Sequence, residues 1–252
     1  MEKVALVTGV SRRIGIGAAI ARALAAEGWR MVLTGLPAFD EAQPYGGDPE
    51  GVPALRAELG GDVPYLPVDL LDPAAPAGLV TETVRRHGRI DAVVAAHAYS
   101  THTPLGSLDA AEIDRHLLVN VRATLLLAEA FAAAHPSGDG GRLVLFSSGQ
   151  RLGPMPGELA YAVSKAGVEN LTFQLAPLLM PRGITVNCVQ PGPTDTGYAD
   201  PERLAAVARL FPGGRWGTPE DAARLVRFLC SDDGAWITGQ VIDSEGGFNR
   251  YR

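Results

Sequence analysis

A glycine-rich turn near the start of the chain lies between a strand-like run and a helical run. Residues 3–7 are mostly apolar, the turn reads Thr8-Gly9-Val-Ser-Arg-Arg-Ile-Gly15-Ile-Gly17, and residues 18–27 are helical in pattern and end at Gly28. Such glycines let the backbone approach a pyrophosphate, while the helix N-terminus supplies N–H groups and a positive dipole. The context favours a dinucleotide-binding turn over glycines that serve only a tight bend. The predicted contacts are Gly9, Ser11, Arg12, Arg13, Gly15, Ile16 and Gly17.

The alternation of strand and helix continues along the chain. Further strand-like runs occupy residues 30–34, 63–68, 91–96, 143–146, 184–189 and 240–243. Helices are predicted at 72–87, opened by Asp72 and Pro73, within 108–134, and after Thr218, where Pro219 and two acidic residues suit a first turn. Six strand–helix repeats without a linker predict one α/β domain over residues 1–252, built on a doubly wound parallel sheet of about seven strands.

Two segments interrupt these repeats. Residues 37–53 are rich in Pro, Gly and Asp, and we expect a long irregular surface insertion there. Residues 195–215 are bounded by Gly and Pro and contain one amphipathic stretch, 201–210. This second segment is predicted to form a lid over a site.

Composition narrows the class of protein. The formal net charge of -6 and the pI near 5.4 argue against nucleic acid and anionic membranes as partners. Cys188 and Cys230 lie in apolar segments without metal-type spacing, so we expect reduced core thiols and no metal site. The first strand starts too early for a signal peptide, and polar residues interrupt the apolar helix at 117–134. A soluble, cytoplasmic protein is expected.

Three side chains capable of proton chemistry lie between residues 148 and 165. Ser148 follows a strand-like run, so its hydroxyl should emerge at the carboxyl end of the sheet, where open α/β sheets bind ligands. Tyr161 and Lys165 are four residues apart and share one face of a helix. An ammonium beside a phenol lowers the phenol's pKa toward neutrality, which makes a usable acid/base. Two such residues on a solvated helix face are the alternative.

Other strand ends carry further candidates. Asp69 could bond an adenine amino group or cap a turn, and small residues around His97 would let a flat ring lie close to the backbone. Asn120 sits among apolar neighbours and could simply bridge backbone groups. The Pro-Gly-Pro turn after the strand at 184–189 is rigid and is followed by hydroxyls available to a ligand.

With the glycine turn, Asn120, Ser148, Tyr161, Lys165 and Pro191-Gly192 in this order, the chain resembles the classical short-chain dehydrogenase/reductase family over almost its whole length. The spacing of 13 between Ser148 and Tyr161 matches the family pattern. The resemblance implies a Rossmann fold and a nicotinamide cofactor. It also implies roles for four residues: Asn120 in a water relay, Ser148 in carbonyl positioning, Tyr161 as general acid/base, and Lys165 as ribose anchor and pKa tuner. Further cofactor contacts would be Asp69, Leu70, Ala96, His97, Ala98, Pro191, Gly192, Thr194 and Thr196.

The chain departs from the family pattern in three places. Two extra residues separate Gly9 from Gly15, somewhat as in the enoyl-reductase branch. The Asn-Asn-Ala-Gly motif is replaced by Ala95-Ala96-His97-Ala98, which removes side-chain amides and places an imidazole near the cofactor. The long excursion at 37–53 follows the second strand.

These features bear on the choice of cofactor. The acid that usually follows the second strand to bind a ribose 2′-hydroxyl is missing, since Asp40 and Glu41 come too late unless the excursion folds back. Arg12 and Arg13 could pair with a 2′-phosphate. We therefore predict NADP(H) rather than NAD(H).

The predicted function is NAD(P)(H)-dependent interconversion of a ketone and a secondary alcohol on a small molecule. One alternative is a 3-oxoacyl-[acyl-carrier-protein] reductase, although an acidic chain is a poor partner for acidic carrier proteins. An alternative of another class is a dinucleotide-binding regulator without turnover, but such a protein would not need Lys165 beside Tyr161.

The sequence also predicts the substrate pocket and the assembly. Residues expected to face the carbonyl are Gln150, Arg151, Met155, Glu158, His97, Tyr99 and Tyr198, a mixture that suits a modest-sized ketone with a polar group beside an apolar body. Arg151 could attract an anionic substituent of the substrate, but we expect it to form a structural ion pair with Glu158. The helix after Tyr161 is apolar on more than one face, and the family resemblance points to a homotetramer.

Overall fold

Strands rich in Val, Leu and Ile form the centre of the molecule. The computed structural model describes residues 2–136, 138 and 140–248, and in that part of the chain the strands are Val4–Val7 (β1), Arg30–Gly35 (β2), Tyr65–Pro67 (β3), Ala92–Ala95 (β4), Gly141–Phe146 (β5), Ile184–Gln190 (β6) and Val241–Asp243 (β7). All pair in parallel in one sheet of order β3-β2-β1-β4-β5-β6-β7. The chain reverses its direction of winding between β1 and β4, which creates a topological switch point there. The predicted doubly wound sheet is confirmed.

Helices cover both faces of the sheet. They are Ile16–Ala26 (α1), Pro37–Glu41 (α2), Gly51–Glu58 (α3), Ala75–His87 (α4), Ala110–His116 (α5), Ala123–Ala134 (α6), Leu159–Leu179 (α7), Pro201–Ala208 (α8) and Pro219–Cys230 (α9). One apolar core packs α1 and α9 against the sheet, and the other packs α4, α6 and α7 against its opposite face. Because β1 and β4 are buried along their whole length, their side chains are apolar in both orientations rather than alternately polar.

A π-helical turn at Leu117–Arg122 joins α5 to α6. The combined run Ala110–Ala134 is long and apolar enough to cross a membrane by length and composition alone. However, Val119, Ala123, Leu127 and Phe131 are buried in the core on the sheet. Core helices of soluble proteins show the same features.

Several element boundaries differ from those expected. α4 begins at Ala75 rather than at Asp72 and Pro73, because the Asp72 carboxylate accepts a hydrogen bond from the backbone N–H of Ala74 and forms a turn instead. The helix after Thr218 is as predicted, with a capping box formed by Thr218 and Asp221.

The excursion at 37–53 is irregular only at residues 42–50. It contains α2 and the start of α3, and Leu55 of α3 is fully buried in the core shared with α1. A proline in the first turn of α2 has its φ preset for a helix. The excursion is therefore part of the folded domain, and its packing brings it against the glycine turn.

Candidate active site

A cavity of about 890 Å³ opens at the carboxyl ends of the strands, across the switch point. Its lining combines the glycine turn, the ends of β2, β4, β5 and β6, the excursion and the segment at 195–215. All the predicted cofactor contacts line it except Arg13 and Lys165. This is the position at which open parallel sheets bind ligands.

Only glycine can occupy key positions of the turn. Gly9 has φ +74°, and a Cβ there would lie 2.6 Å from the carbonyl oxygen of Ala96. A Cβ on Gly17 would lie 2.5 Å from the carbonyl oxygen of Gly9. The turn is thus packed backbone against backbone, and it delivers the N-terminus of α1 to the cavity. A glycine cradle with N–H groups and a helix dipole suits the pyrophosphate of a dinucleotide.

The two arginines of the turn have different surroundings. Arg13 is exposed, and its Nε and Nη2 each donate to the Asp48 carboxylate over 3.0 Å. Arg12 lines the cavity with its guanidinium 4.7 Å from the ring centroid of Tyr45, and its buried Nε has no hydrogen-bond partner in the described chain. Arg12 alone of the pair is placed to meet a ligand, which corrects the expectation for Arg13. Arg12 and Arg13 could not be distinguished from the sequence alone, because Asp48, the partner of Arg13, lies in the excursion.

The excursion folds back over this end of the cavity. Phe39, Asp40 and Tyr45 all line it. The Tyr45 hydroxyl donates to Asp40 over 3.2 Å. Burial raises the pKa of the Asp40 carboxyl, although hydrogen bonds from Tyr45 and Ser11 oppose the rise. The acidic side chain of Asp40 therefore does line the cavity, although it comes later in the chain than the acid that usually binds the ribose 2′-hydroxyl.

Ser148 and Tyr161 line the opposite part of the cavity. Lys165 lies behind them, buried, with Nζ donating to the carbonyl oxygen of Phe146 over 2.9 Å and 5.7 Å from the Tyr161 ring centroid. Burial lowers the pKa of Lys165 to about 8. Ser148 and Tyr161 thus line one cavity and the Lys165 ammonium is held at the end of β5, while their joint catalytic role stays a prediction.

Asn120 lies in the π-helical turn and is buried. Its Oδ1 accepts from the backbone N–H of Tyr99 over 2.7 Å, and its Nδ2 donates to the Tyr99 carbonyl over 2.9 Å and to Ser164 Oγ over 2.8 Å. This amide bridges the loop after β4 to α7. It does not line the cavity, so its visible contacts are those of the bridging alternative.

His97 occupies the place of the missing amides. Its Nε2 lies 3.1 Å from the carbonyl oxygen of Val119 and so carries the proton, while its Nδ1 accepts from the Thr8 hydroxyl over 2.7 Å. Burial, followed by the nearby Lys165, lowers the pKa of His97 to about 3. The neutral imidazole therefore ties the end of β1 to the π-helical turn.

The remaining strand ends form the rims of the cavity. Asp69 lines the cavity, and its carboxylate accepts a hydrogen bond from the backbone N–H of Leu71 over 2.8 Å. Asp69 therefore caps a turn, at a position where it can also contact a ligand. Thr194 and Thr196 line it after β6. Thr194 donates to the carbonyl of Gly192 over 3.2 Å, which fixes the Pro-Gly-Pro turn.

The substrate-facing residues were predicted in part. Met155, Glu158, His97, Tyr99 and Tyr198 line the cavity. Gln150 and Arg151 do not: Gln150 bonds Ser147, and Arg151 pairs with Asp243 and Glu169 rather than with Glu158. The lining residues that were missed include Arg115, Arg203, Val207, Trp216 and Phe248. Aromatic residues in a lid-like segment were the available signal for Trp216.

These features define an oxidoreductase of the dinucleotide-binding α/β class, and the comparisons give its family. A family model described as enoyl-(acyl carrier protein) reductase matches residues 9–249. The uncharacterized oxidoreductase YjdA of Bacillus subtilis (strain 168) is 39% identical, covering 99% of this chain and 98% of that protein.

Solved structures agree. A short-chain dehydrogenase/reductase from Serratia marcescens superposes with a TM-score of 0.85 and 33% identity, covering 98% of this chain and 97% of that one. A blue fluorescent protein from a metagenomic library, solved in complex with NADPH, gives 0.86 and 34%, with the same coverage. The chain belongs to the short-chain dehydrogenase/reductase family and is an NAD(P)-dependent dehydrogenase or reductase.

Proposed function

We propose that the protein interconverts a ketone and a secondary alcohol on a small molecule, using NADP(H). The observation that carries the proposal is the placement of Ser148 and Tyr161 on one cavity with Lys165 buried behind them. The nicotinamide, when bound, supplies or accepts the hydride. The chain's own residues must then hold the carbonyl and move one proton.

Tyr161 is the proposed proton donor in reduction and acceptor in oxidation. Tyr161 lines the cavity, and an ammonium such as that of Lys165 near its ring favours the phenolate electrostatically. Ser148, at the carboxyl end of β5, is proposed to donate a hydrogen bond to the same carbonyl oxygen and to orient it. Both donors would then meet the oxygen where negative charge develops.

Lys165 and Asn120 are proposed to act behind this pair. The bond from Lys165 to the Phe146 carbonyl fixes its ammonium at the strand end, where it can serve the phenol and the cofactor ribose. Asn120 holds α7 to the loop after β4, and we propose that it also anchors water for proton exchange.

Arg12 supports the choice of NADP(H). It is stacked on Tyr45 beside the end of β2, and its Nε has no hydrogen-bond partner among the described residues, as expected for a group that binds a 2′-phosphate. The Asp40 carboxylate would repel a 2′-phosphate, but it already accepts a hydrogen bond from the Tyr45 hydroxyl. The solved relative that binds NADPH agrees with this preference.

Residues 195–215 are proposed as the substrate lid. Backbone bonds from Asp195 to Gly217 and from Gly217 to Pro193 tie the two ends of the segment together. Between these ends, Tyr198 packs edge-on against Trp216 with ring centroids 5.9 Å apart, and both residues line the cavity. A short segment with an aromatic inner surface suits a modest-sized substrate better than a long acyl chain.

The test is a panel of NADPH-linked reductions with cyclic and aryl ketones, hydroxyketones, sugars and 3-oxoacyl thioesters. We expect turnover of one or more free small ketones. If only long-chain thioesters react efficiently, the 3-oxoacyl carrier-protein reductase takes first place. If the purified protein binds NADPH but oxidises it with no carbonyl compound, the non-catalytic regulator replaces both.

A further inference from the structure

Glu158 carries a carboxylate that the proposed chemistry does not use. It lies three residues before Tyr161, is half-buried and lines the same cavity. Within residues 2–136, 138 and 140–248 its carboxylate has no hydrogen bond or ion pair, although Arg151 was expected to supply one. A carboxylate partly removed from water gains from any donor that a ligand brings.

The backbone around Glu158 is held on both sides by Thr103. The Thr103 N–H donates to the carbonyl of Gly157 over 2.8 Å, and the Leu159 N–H donates to the Thr103 carbonyl over 3.2 Å. The buried Thr103 hydroxyl also accepts from the N–H of Ala160 over 3.3 Å. The position of Glu158 is therefore set by the fold before a ligand arrives, as a specificity group requires.

From this geometry, and resting on the proposed function, we infer that the substrate carries a hydroxyl group next to its reactive carbon and that Glu158 accepts the hydrogen bond from this hydroxyl. The chemical class is thus a vicinal diol in the oxidised direction and an α-hydroxyketone in the reduced direction. Glu158 would be a specificity residue rather than a proton carrier.

The charges around the cavity favour a neutral donor over an ammonium group. Lys165 lies behind Tyr161, and Arg203 lines the cavity from α8. A substrate ammonium near Glu158 would be repelled by these cations, whereas a hydroxyl is not. The apolar surface of Met155, Trp216 and Phe248 on the same cavity suits a carbocyclic or other compact body beside the two oxygens.

The experiment compares cyclohexanol, cis- and trans-1,2-cyclohexanediol and trans-2-aminocyclohexanol as substrates for NADP⁺ reduction. For the wild type we expect kcat/KM to be about tenfold or more higher for a diol than for cyclohexanol, as a hydrogen bond to a charged group implies. Glu158→Ala should lower kcat/KM for the diol about tenfold more than kcat/KM for cyclohexanol, so that the ratio approaches one. Glu158→Gln, which keeps an acceptor, should retain part of the ratio.

Glu220→Ala is the matched control, since it removes an exposed carboxylate from α9 and should leave the ratio unchanged. Equal use of diol and cyclohexanol by the wild type, or an equal loss for both in Glu158→Ala, would overturn the inference while leaving the proposed function intact. A preference for the amino alcohol would show that Glu158 recognises an ammonium group rather than a hydroxyl, and it would also overturn the inference. If no alcohol in the set reacts and the ketone panel is also negative, the proposed function itself has failed.

Discussion

Lys165 donates from Nζ to the carbonyl oxygen of Phe146, so the buried ammonium is fixed at the end of β5. The same Nζ lies 5.7 Å from the ring centroid of Tyr161, and under the proposed function it would act on the phenol through its electric field. In the proposed mechanism, the group that carries the proton is therefore different from the charge that lowers its pKa. The two side chains should consequently respond differently to substitution.

Tyr161→Phe should lower kcat by about 100-fold or more, because the loss of a general acid/base costs that much. Its affinity for NADPH should stay nearly unchanged, since the hydroxyl hardly contacts the dinucleotide. Lys165→Met should damage both turnover and cofactor affinity. Steady-state kinetics and fluorescence titration check these outcomes, and a Phe variant that kept most of its activity would remove Tyr161 from its role.

Lys165 should also destabilise the folded protein in a pH-dependent way. Burial lowers its pKa from 10.5 to about 8, so between these values the unfolded chain holds a proton that the folded protein has released. The stability penalty is fully present below pH 8 and disappears as the pH rises toward 10.5. We expect the melting temperature of the wild type to rise relative to that of Lys165→Met between pH 7 and pH 10. A difference that stays constant over this range would contradict the depressed pKa.

His97 should give a dependence of the same sign, with stability rising with pH, but in the acid range. It is neutral in the fold with its pKa lowered to about 3, against 6.5 for an unperturbed imidazole. The unfolded chain therefore binds a proton first as the pH falls through 6.5, and the contribution of His97 to stability is lost from there toward pH 3. His97→Gln should weaken the acid sensitivity of unfolding between pH 6.5 and 4 in denaturant titrations. An unchanged slope would mean that other groups control acid unfolding.

The sequence predicted the parts of the site that depend on local geometry. The spacing of Tyr161 and Lys165 on one helix, and the place of Ser148 at a strand end, follow from helix and sheet periodicity, and the structure has them so. Ion-pair partners depend instead on chain segments far apart in sequence. Arg13 finds Asp48 across 35 residues and Arg151 finds Asp243 across 92, and neither partner could be read from local pattern.

Arg12 and Arg13 form a matched pair for testing cofactor choice. Arg12→Ala should weaken NADPH binding by about tenfold or more through loss of a charge-assisted contact to the 2′-phosphate, with little effect on NADH. Arg13→Ala removes the same charge from the outside of the turn, where Asp48 holds it, and should change the NADPH/NADH ratio far less. Fluorescence titration with both nucleotides measures the affinity of each variant for NADPH and for NADH. Tighter binding of NADH than of NADPH by the wild type would reverse the preference.

The exposed side of α7 carries apolar side chains, which bears on whether copies of the chain associate. Val163, Phe173 and Leu178 are 65%, 52% and 68% exposed, while Val168 and Leu179 on the same helix are buried in the core. A large apolar surface on a helix that is already packed on its other side is a surface for a second copy of the chain. We predict a homotetramer in solution, measurable by light scattering at micromolar concentration.

The double variant Phe173→Glu with Leu178→Glu should give a smaller species, because burying two carboxylates in an apolar interface is unfavourable. Leu105→Glu, at a position 85% exposed outside α7, is the control and should not change the mass. A wild-type protein that scattered as a monomer would refute the assembly and the interpretation of this surface together.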